Sequence, residues 1–332
     1  MKETDKPFFS IIIPTRDRPE LFKNALESVC NQMFTDFEII VINDGSSEQN
    51  EKEYNNILSQ YDKHNIRIEH LIYRPNGHNS SFTRNYGVEL SQGLYVCFLD
   101  DDDSWIDNEH LSNAHHSIKA QINKVDLYLS NQIAIKKDGT LVPNVWIEDL
   151  QETALKKIDP DKTGIYKVTT DILLQSNGFC HLNCSIYSRL FFDKINGLDE
   201  NLRYEEDRDI YIRAIDKAGQ MLHSPKVIAQ HNIPDKNKKN NISTQQNELE
   251  KLIFQLRIFD KGILFCKNKK IKKRCLENKM YVLKNITDIL YKEKKYKDSY
   301  TYGKEAFSIN LSLKWLFFCI LIYIKSNLST KP

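Results

Sequence analysis

Four apolar runs punctuate the first hundred residues, each of strand length and each halted by turn-forming or acidic residues. FFSIII (8–13) stops at Pro14, FEIIVI (37–42) at NDGSS, IRIEHLIY (66–73) at RPNGHNSS, and LYVCFL (94–99) at four consecutive aspartates. Between the runs, apolar positions recur at helical spacing. Leu21, Ala25, Leu26 and Val29 mark a helix that begins near Pro19, 48–62 reads as a polar helix, and FTRNYGVELSQG (82–93) reads as a helix ended by Gly93. Strands alternating with helices predict a parallel sheet covered on both faces, and such sheets collect ligands at the carboxyl ends of their strands. Asp44 and the acidic cluster 100–103 fall at those ends.

Past residue 120 the rhythm changes. VDLYLSNQIAIKKDGTLV (125–142) predicts two strands, the second turning at Asp138-Gly139, and an irregular stretch follows over 143–165. A helix near 168–176, a strand near 182–187 and a charged helix over 206–218 complete this part. From about 244 only helical spacing remains, as at Leu249, Ile253 and Leu256, and YKDSYTYGKEAFSIN (296–310) resembles one helix of a tetratricopeptide-like pair. The expected organisation is an α/β domain over 1–243 with a helical extension over 244–332.

Charge divides near the same place. The formal net charge of +2 combines 25 Lys and Arg against 37 Asp and Glu in residues 1–235 with 22 against 8 in 236–332. The acidic body, and basic runs without interleaved stacking aromatics, argue against a nucleic-acid partner. The basic region ends in WLFFCILIYI (315–324) between Lys314 and Lys325. As a helix these residues rise only about 15 Å, half the hydrocarbon thickness of a bilayer, so they do not span it. Peripheral contact with an anionic membrane, packing within the extension, and a homo-oligomer contact all fit the pattern. Seven scattered cysteines, with no apolar segment before MKETDK, lead to an expectation of a reducing, cytoplasmic setting, at the inner face of the cell membrane if the tail reaches it. Cys180, His181 and Cys184 in CHLNC lack the second pair a zinc site needs, so buried thiols are expected. Neither GxGxxG nor GxxxxGK[ST] occurs, which argues against dinucleotide and P-loop sites.

Asp100, Asp101, Asp102 and Asp103 raise one another's electrostatic cost, which water at an exposed turn or a divalent cation could compensate. In an extended segment side chains two apart share a face, so Asp100 and Asp102 would meet one ligand while Asp101 turns away. The run does not stand alone. SIIIPTRDRPE, FEIIVINDGSS, TRNYGVELSQGLYVCFLDDDDSW, FFDKINGLDENLRYEEDRDIYIRA and QHN with NNIS follow one another in order. In this the chain resembles the family 2 glycosyltransferases over residues 8–243.

The resemblance implies a GT-A fold, a Rossmann-like α/β architecture. It also implies an inverting enzyme that moves a sugar from a nucleotide-sugar donor, a UDP-hexose or UDP-N-acetylhexosamine, to a saccharide or lipid-linked saccharide in surface polysaccharide or glycan assembly. Matched to the family's DxD motif, Asp102 is the expected ligand of Mn²⁺ or Mg²⁺, Asp103 a helper, and Asp100 a ribose or metal contact. Asp101 stands where the family usually has a small or neutral residue. Pro14, Thr15, Arg16 and Asp44 are expected at the nucleotide, and Arg84 and Asn85 beside the uracil and diphosphate. Asp207 matches the catalytic base, Glu206 orients it or the substrate, and Arg208 stands where an aromatic is common. Direct displacement needs such a base to deprotonate the acceptor hydroxyl. His231 either completes the metal shell or contacts phosphate, or is a satisfied surface histidine. Trp105 and 176–185 are expected on the acceptor side, with core packing the alternative for Trp105. The rival reading is a non-catalytic nucleotide-sugar-binding module of an assembly complex.

Overall fold

A computed structural model describes residues 6–143, 145–233 and 246–328. The chain forms two compact units that divide between residues 235 and 236. The boundary expected at 243/244 and the NNIS motif (240–243) lie outside the described residues.

In the first unit β1 (Phe9–Thr15), β2 (Phe37–Asn43), β3 (Ile66–His70) and β4 (Tyr95–Phe98) alternate with α1 (Pro19–Cys30), α2 (Glu48–Leu58) and α3 (Ser80–Leu90). These strands run parallel in the order β3-β2-β1-β4. Ile11, Ile12, Ile13, Ile39, Val41, Val96 and Phe98 are fully buried, because a parallel sheet covered on both faces has no solvent side for an alternating pattern to mark. The strand expected over 66–73 stops at His70.

Beyond β4 follow β5 (Ser104–Trp105), α4 (His110–Lys119), β6 (Leu127–Ile135), β7 (Leu141–Val142), β8 (Tyr166–Val168), α5 (Thr170–Leu173), β9 (Ser185–Ser188), α6 (Arg189–Lys194), α7 (Glu206–Lys217) and β10 (Met221–Asn232). The sheet continues β4-β9-β6-β10-β5, with β7 on β6 and β8 on β10. Beyond the parallel half the sheet is mixed: β9 runs antiparallel to both neighbours, and β10 parallel to β6 but antiparallel to β5 and β8. The helix expected near 168–176 is the end of β8 plus a short α5, and the strand expected from 182 begins at Ser185 after a helical turn. β10 escapes a pattern search because its register shifts between His223 and Val227, with Pro225 inside the irregularity.

In the second unit α8 (Glu248–Phe265), α9 (Lys269–Lys292), α10 (Tyr296–Ile309) and α11 (Leu313–Leu328) follow one another, each packed on the next. Asn247 and Glu250 form a capping box at the start of α8. Met280, Leu283 and Ala306 centre the core, with Leu256, Ile309 and Trp315 packed around it. Lys279 ties the helices by reaching Asp260 at 2.8 Å and Glu305 at 2.9 Å.

Burial pushes His110 in α4 and His223 in β10 down to about 4, the Asp107 carboxylate only partly offsetting this at His110. The unfolded chain, with histidine near 6.5, then binds protons that the folded chain refuses. The stabilisation is therefore full above pH 6.5 and lost as pH falls toward 4. Stability should fall by about 2 kcal/mol per histidine between pH 7 and pH 5, and His110→Phe should remove its share. Urea midpoints at the two pH values check this, and an unchanged pH slope in the variant would contradict it.

Candidate active site

The chain turns immediately after β4. The Asp103 amide donates to the Asp100 carbonyl at 3.1 Å, so 100–103 is a tight turn and not the extended run on which the alternating orientation rested. The turn sorts the four acids into different pairs. Asp101 and Asp102 share the guanidinium of Arg18, whereas carboxylate oxygens of Asp100 and Asp103 and a ring nitrogen of His181 lie within 4.8 Å of one another. Asp101 and Asp103 are buried, which rules out a solvated acidic turn.

Fixed cations and donors compensate the buried charge. Arg18 donates to Asp101 through Nη2 and through Nε at 3.2 Å, and to Asp102 through Nη1 at 3.0 Å. The Thr15 hydroxyl donates to Asp101 at 2.7 Å. Tyr54 Oη lies 2.9 Å from that hydroxyl and accepts the Arg18 amide at 2.9 Å, so the end of β1 and the start of α1 are locked to the turn. Buried Arg84 in α3 bridges Asp100 at 2.5 Å and Glu206 at 2.9 Å, and Ser80 donates to the same Glu206 oxygen at 2.6 Å. Burial works against the charge on Asp100, but the Arg84 guanidinium beside it holds the carboxyl down at about 2.

Asp103 is fixed by three donors from elsewhere in the first unit: Asn183 Nδ2 at 2.6 Å, the Asn232 amide at 2.8 Å and His231 Nδ1 at 2.8 Å. Burial opposes the charge on His231, yet hydrogen bonding and attraction from Asp103 raise it to about 9. The imidazole is therefore a cation at neutral pH and a partner of the acid. His181 is the opposite case, pushed down to about 4 by burial in spite of Asp100. Trp146, from the irregular stretch, packs edge-on against both histidines, at 5.7 Å from His181 and 5.3 Å from His231. Gly178 permits this, since a Cβ there would strike the Trp146 backbone.

The start of α7 completes the site. Glu205 takes a left-handed φ of 54°, and the turn behind it presents Glu206 to Arg84 and Asp207 to His181, whose Nε2 lies 3.7 Å from Asp207 and 3.9 Å from Asp100. Burial, then the neighbouring Glu206 and Glu205 charges, push Asp207 up to about 8. Arg208 turns from Asp207 to Glu205 at 2.8 Å, with its guanidinium over the Phe179 ring.

Asp44 joins this assembly through its backbone amide, which donates to the Thr15 carbonyl at 2.9 Å. Its carboxylate accepts from the His78 amide at 2.9 Å and lies 2.7 Å from His78 Nδ1. Gly77, at φ +63°, has no room for a Cβ against Asp44 and Arg16. Arg16 points to the Arg74 carbonyl at 2.7 Å and sits over the Tyr73 ring, away from the acidic turn. Pro14 stays within β1. Asn85 binds backbone, exchanging hydrogen bonds of 2.9 Å with the amide and carbonyl of Leu198, so it anchors the segment before α7. Trp105 is buried and donates to the Asn183 carbonyl at 3.0 Å.

Sequence reasoning passed over Arg18, Trp146 and His78, and it placed Asn183 and His181 only within the 176–185 segment, with no role of their own. Arg18 lies two residues from the favoured Arg16, and a charge-balance argument for buried Asp101 could have found it. His181 was set aside with Cys180 and Cys184. Those two are indeed buried free thiols, and the histidine between them turns instead to the acids.

The sequence profile described as "Glycosyl transferase family 2" matches residues 10–195, over half of the chain. The chain belongs to glycosyl transferase family 2. Within the family it is 32% identical over 135 residues, 41% of each chain, to a GalNAc(5)-diNAcBac-PP-undecaprenol beta-1,3-glucosyltransferase of Campylobacter jejuni. It is 26% identical over 212 residues, 64% of each, to the amylovoran biosynthesis glycosyltransferase AmsB of Erwinia amylovora. The chain thus spans less than two thirds of the length of these relatives. The crystal structure of S. aureus TarS 1-349 in complex with UDP-GlcNAc superposes with a TM-score of 0.62 at 20% identity, covering 92% of this chain and 77% of that one. The mannosyltransferase PcManGT of Pyrobaculum calidifontis, in complex with GDP-Man and Mn²⁺, gives 0.60 at 14% identity over 99% and 82%. At these identities the likeness establishes the fold, which is GT-A with a helical C-terminal region.

Removing one partner of a buried ion pair leaves an uncompensated charge. Arg84→Met should therefore destabilise the family 2 domain by about 3–5 kcal/mol. Chemical denaturation checks it, and a loss below about 1 kcal/mol, as for exposed pairs, would contradict the bridging role.

Proposed function

We propose that this chain is an inverting, metal-assisted transferase. It moves a hexose or N-acetylhexosamine from a nucleoside diphosphate, UDP before others, to a saccharide or lipid-linked saccharide in bacterial polysaccharide or glycan assembly. Family membership supports sugar transfer, the name of the Campylobacter relative supports a lipid-linked acceptor, and the TarS complex supports a UDP donor. The observation that carries the reading is that one histidine, His181, stands 3.7 Å from Asp207 and 3.9 Å from Asp100. A base and an acid pair suited to a cation are thus held on two sides of one small space.

The donor set fits a divalent cation. Two carboxylates and an imidazole kept neutral by burial suit Mn²⁺ or Mg²⁺. Asp100, Asp103 and His181 would hold the ion, and His231, Asn183 and Asn232 would orient Asp103 behind it as outer-shell donors do. Asp102, the acid first favoured as metal ligand, instead serves with Asp101 to seat Arg18. When bound, the ion supplies neutralisation of charge on the departing diphosphate.

The protein side chains do the rest. Asp207, in its carboxylate form, takes the proton from the acceptor hydroxyl as that oxygen attacks the anomeric carbon from the face opposite the diphosphate, which inverts the centre. Glu206 is clamped by Arg84 and Ser80 and fixes the first turn of α7, so Asp207 is delivered at constant position. Asp44, Thr15 and Arg16, at the ends of β1 and β2, bind the nucleotide.

Asp207→Asn should keep the fold and lower transfer by about 10²–10⁴-fold, measured as product formation over a panel of UDP-, GDP- and dTDP-sugars. Near wild-type turnover would remove Asp207 from its role. Asp103→Asn should weaken Mn²⁺ binding about 10–100-fold by calorimetry in the presence of UDP, and unchanged affinity would refute the ligand set. Binding of UDP with Mn²⁺ but no turnover of any donor would leave a nucleotide-sugar-binding module.

A further inference from the structure

Helix α11 is apolar on two faces, and only one of them is covered. On the inner face Cys319 and Ile322 are buried, Trp315 Nε1 donates to the Gly303 carbonyl at 2.9 Å, and Phe318 packs on Tyr291 at 5.3 Å. On the outer face Leu313, Phe317, Ile320, Leu321, Ile324 and Leu328 recur at i, i+4, i+7, i+8, i+11 and i+15. That spacing places them in one continuous stripe along the helix. Each is between 43 and 76% exposed. A helix apolar all round is ordinarily buried all round, so the stripe requires an apolar environment from outside the unit.

The surrounding charge identifies it. Residues 236–332 hold 22 Lys and Arg against 8 acids. Lys314 lies beside the stripe on α11 itself. Lys284 sits over the Trp315 ring at 5.0 Å, and Lys325 over the Tyr291 ring at 4.7 Å. A lysine beside an exposed apolar stripe, in a unit of strong positive excess, suits an interface where apolar side chains enter hydrocarbon and cations meet head groups. A second copy of the chain would bring the same positive excess to the same surface, which self-association must overcome and an anionic surface rewards. Among the described residues no helix is long and apolar enough to cross a membrane, so contact would be along the surface.

We propose that α11 lies in the plane of an anionic lipid bilayer surface, its Leu313–Leu328 stripe in the acyl region and its lysines at the head groups. The inference does not depend on the transferase reading, since the binding is measured without donor or acceptor.

Full-length protein is floated with vesicles of phosphatidylcholine, alone or mixed equally with phosphatidylglycerol. Binding should be confined to the mixed vesicles and weaken as salt is raised, because only the anionic surface attracts the lysines. Ile324→Asp and Leu321→Asp should each lower binding about tenfold or more, with circular dichroism unchanged. Lys314→Glu, which leaves the stripe intact, should move the release to lower salt and provides a variant with no charge placed on the apolar face. Failure of the wild type to bind the mixed vesicles overturns the proposal. So does undiminished binding by both stripe variants, if they remain folded, or indifference to Lys314→Glu. A dimer seen in sedimentation equilibrium and dissociated by Leu321→Asp, without vesicle binding, would assign the stripe to a second copy and equally overturn it.

Discussion

The first unit is organised around the need to bury a row of carboxylates at the end of its central strands. Charges removed from water must find partners within hydrogen-bond reach, and no single element supplies them. Arg18 comes from the loop after β1, Arg84 from α3, Asn183 from the turn before β9, and His231 and Asn232 from the end of β10. Compensating the acidic turn therefore forces distant stretches of chain to converge. The site and the fold's tertiary closure are the same set of contacts.

That dependence explains which parts were legible in the sequence. The parallel strands β1 to β4 and their helices were readable because apolar runs and turn residues act locally. The ordered acidic motifs were readable as one family pattern. What could not be read was which side chain answers which charge. Arg16 and Arg18 are chemically equal in the sequence, and only the path of the loop before Pro19 sends one toward Asp44 and Gly77 and the other into the acidic turn. Asp102 looked like the partner of Asp100 because an extended segment alternates. One hydrogen bond from Asp103 to Asp100 changes the geometry to a turn and replaces that pairing. Trp146 and His181 lay in stretches without periodicity, where position is set by close approach at Gly178 and not by any pattern.

The second unit is built on a different economy of charge. Its helices follow from spacing and caps, and among the described residues its cations far outnumber the acids. Lys279 is shared between Asp260 and Glu305, but most lysines along α9 are surface groups, and Lys269, Lys270, Lys272 and Lys273 crowd its first turns, where the helix dipole opposes them. Stability alone gives no reason to put cations there. An excess that costs folding energy and stays at the surface is better understood as serving an external anion.

The same logic returns to Asp207. Glu205, Glu206 and Asp207 stand together at a helix start, where the dipole favours negative charge, yet they are treated differently. Arg208 neutralises Glu205 and Arg84 neutralises Glu206, while Asp207 receives a backbone amide and faces a histidine held neutral. With both guanidiniums committed to its neighbours, Asp207 is the acid left with burial and like charge acting on it, and its proton affinity rises accordingly. The arrangement that closes the fold thus leaves Asp207 without a guanidinium of its own, at the point where a proton-accepting group would be useful.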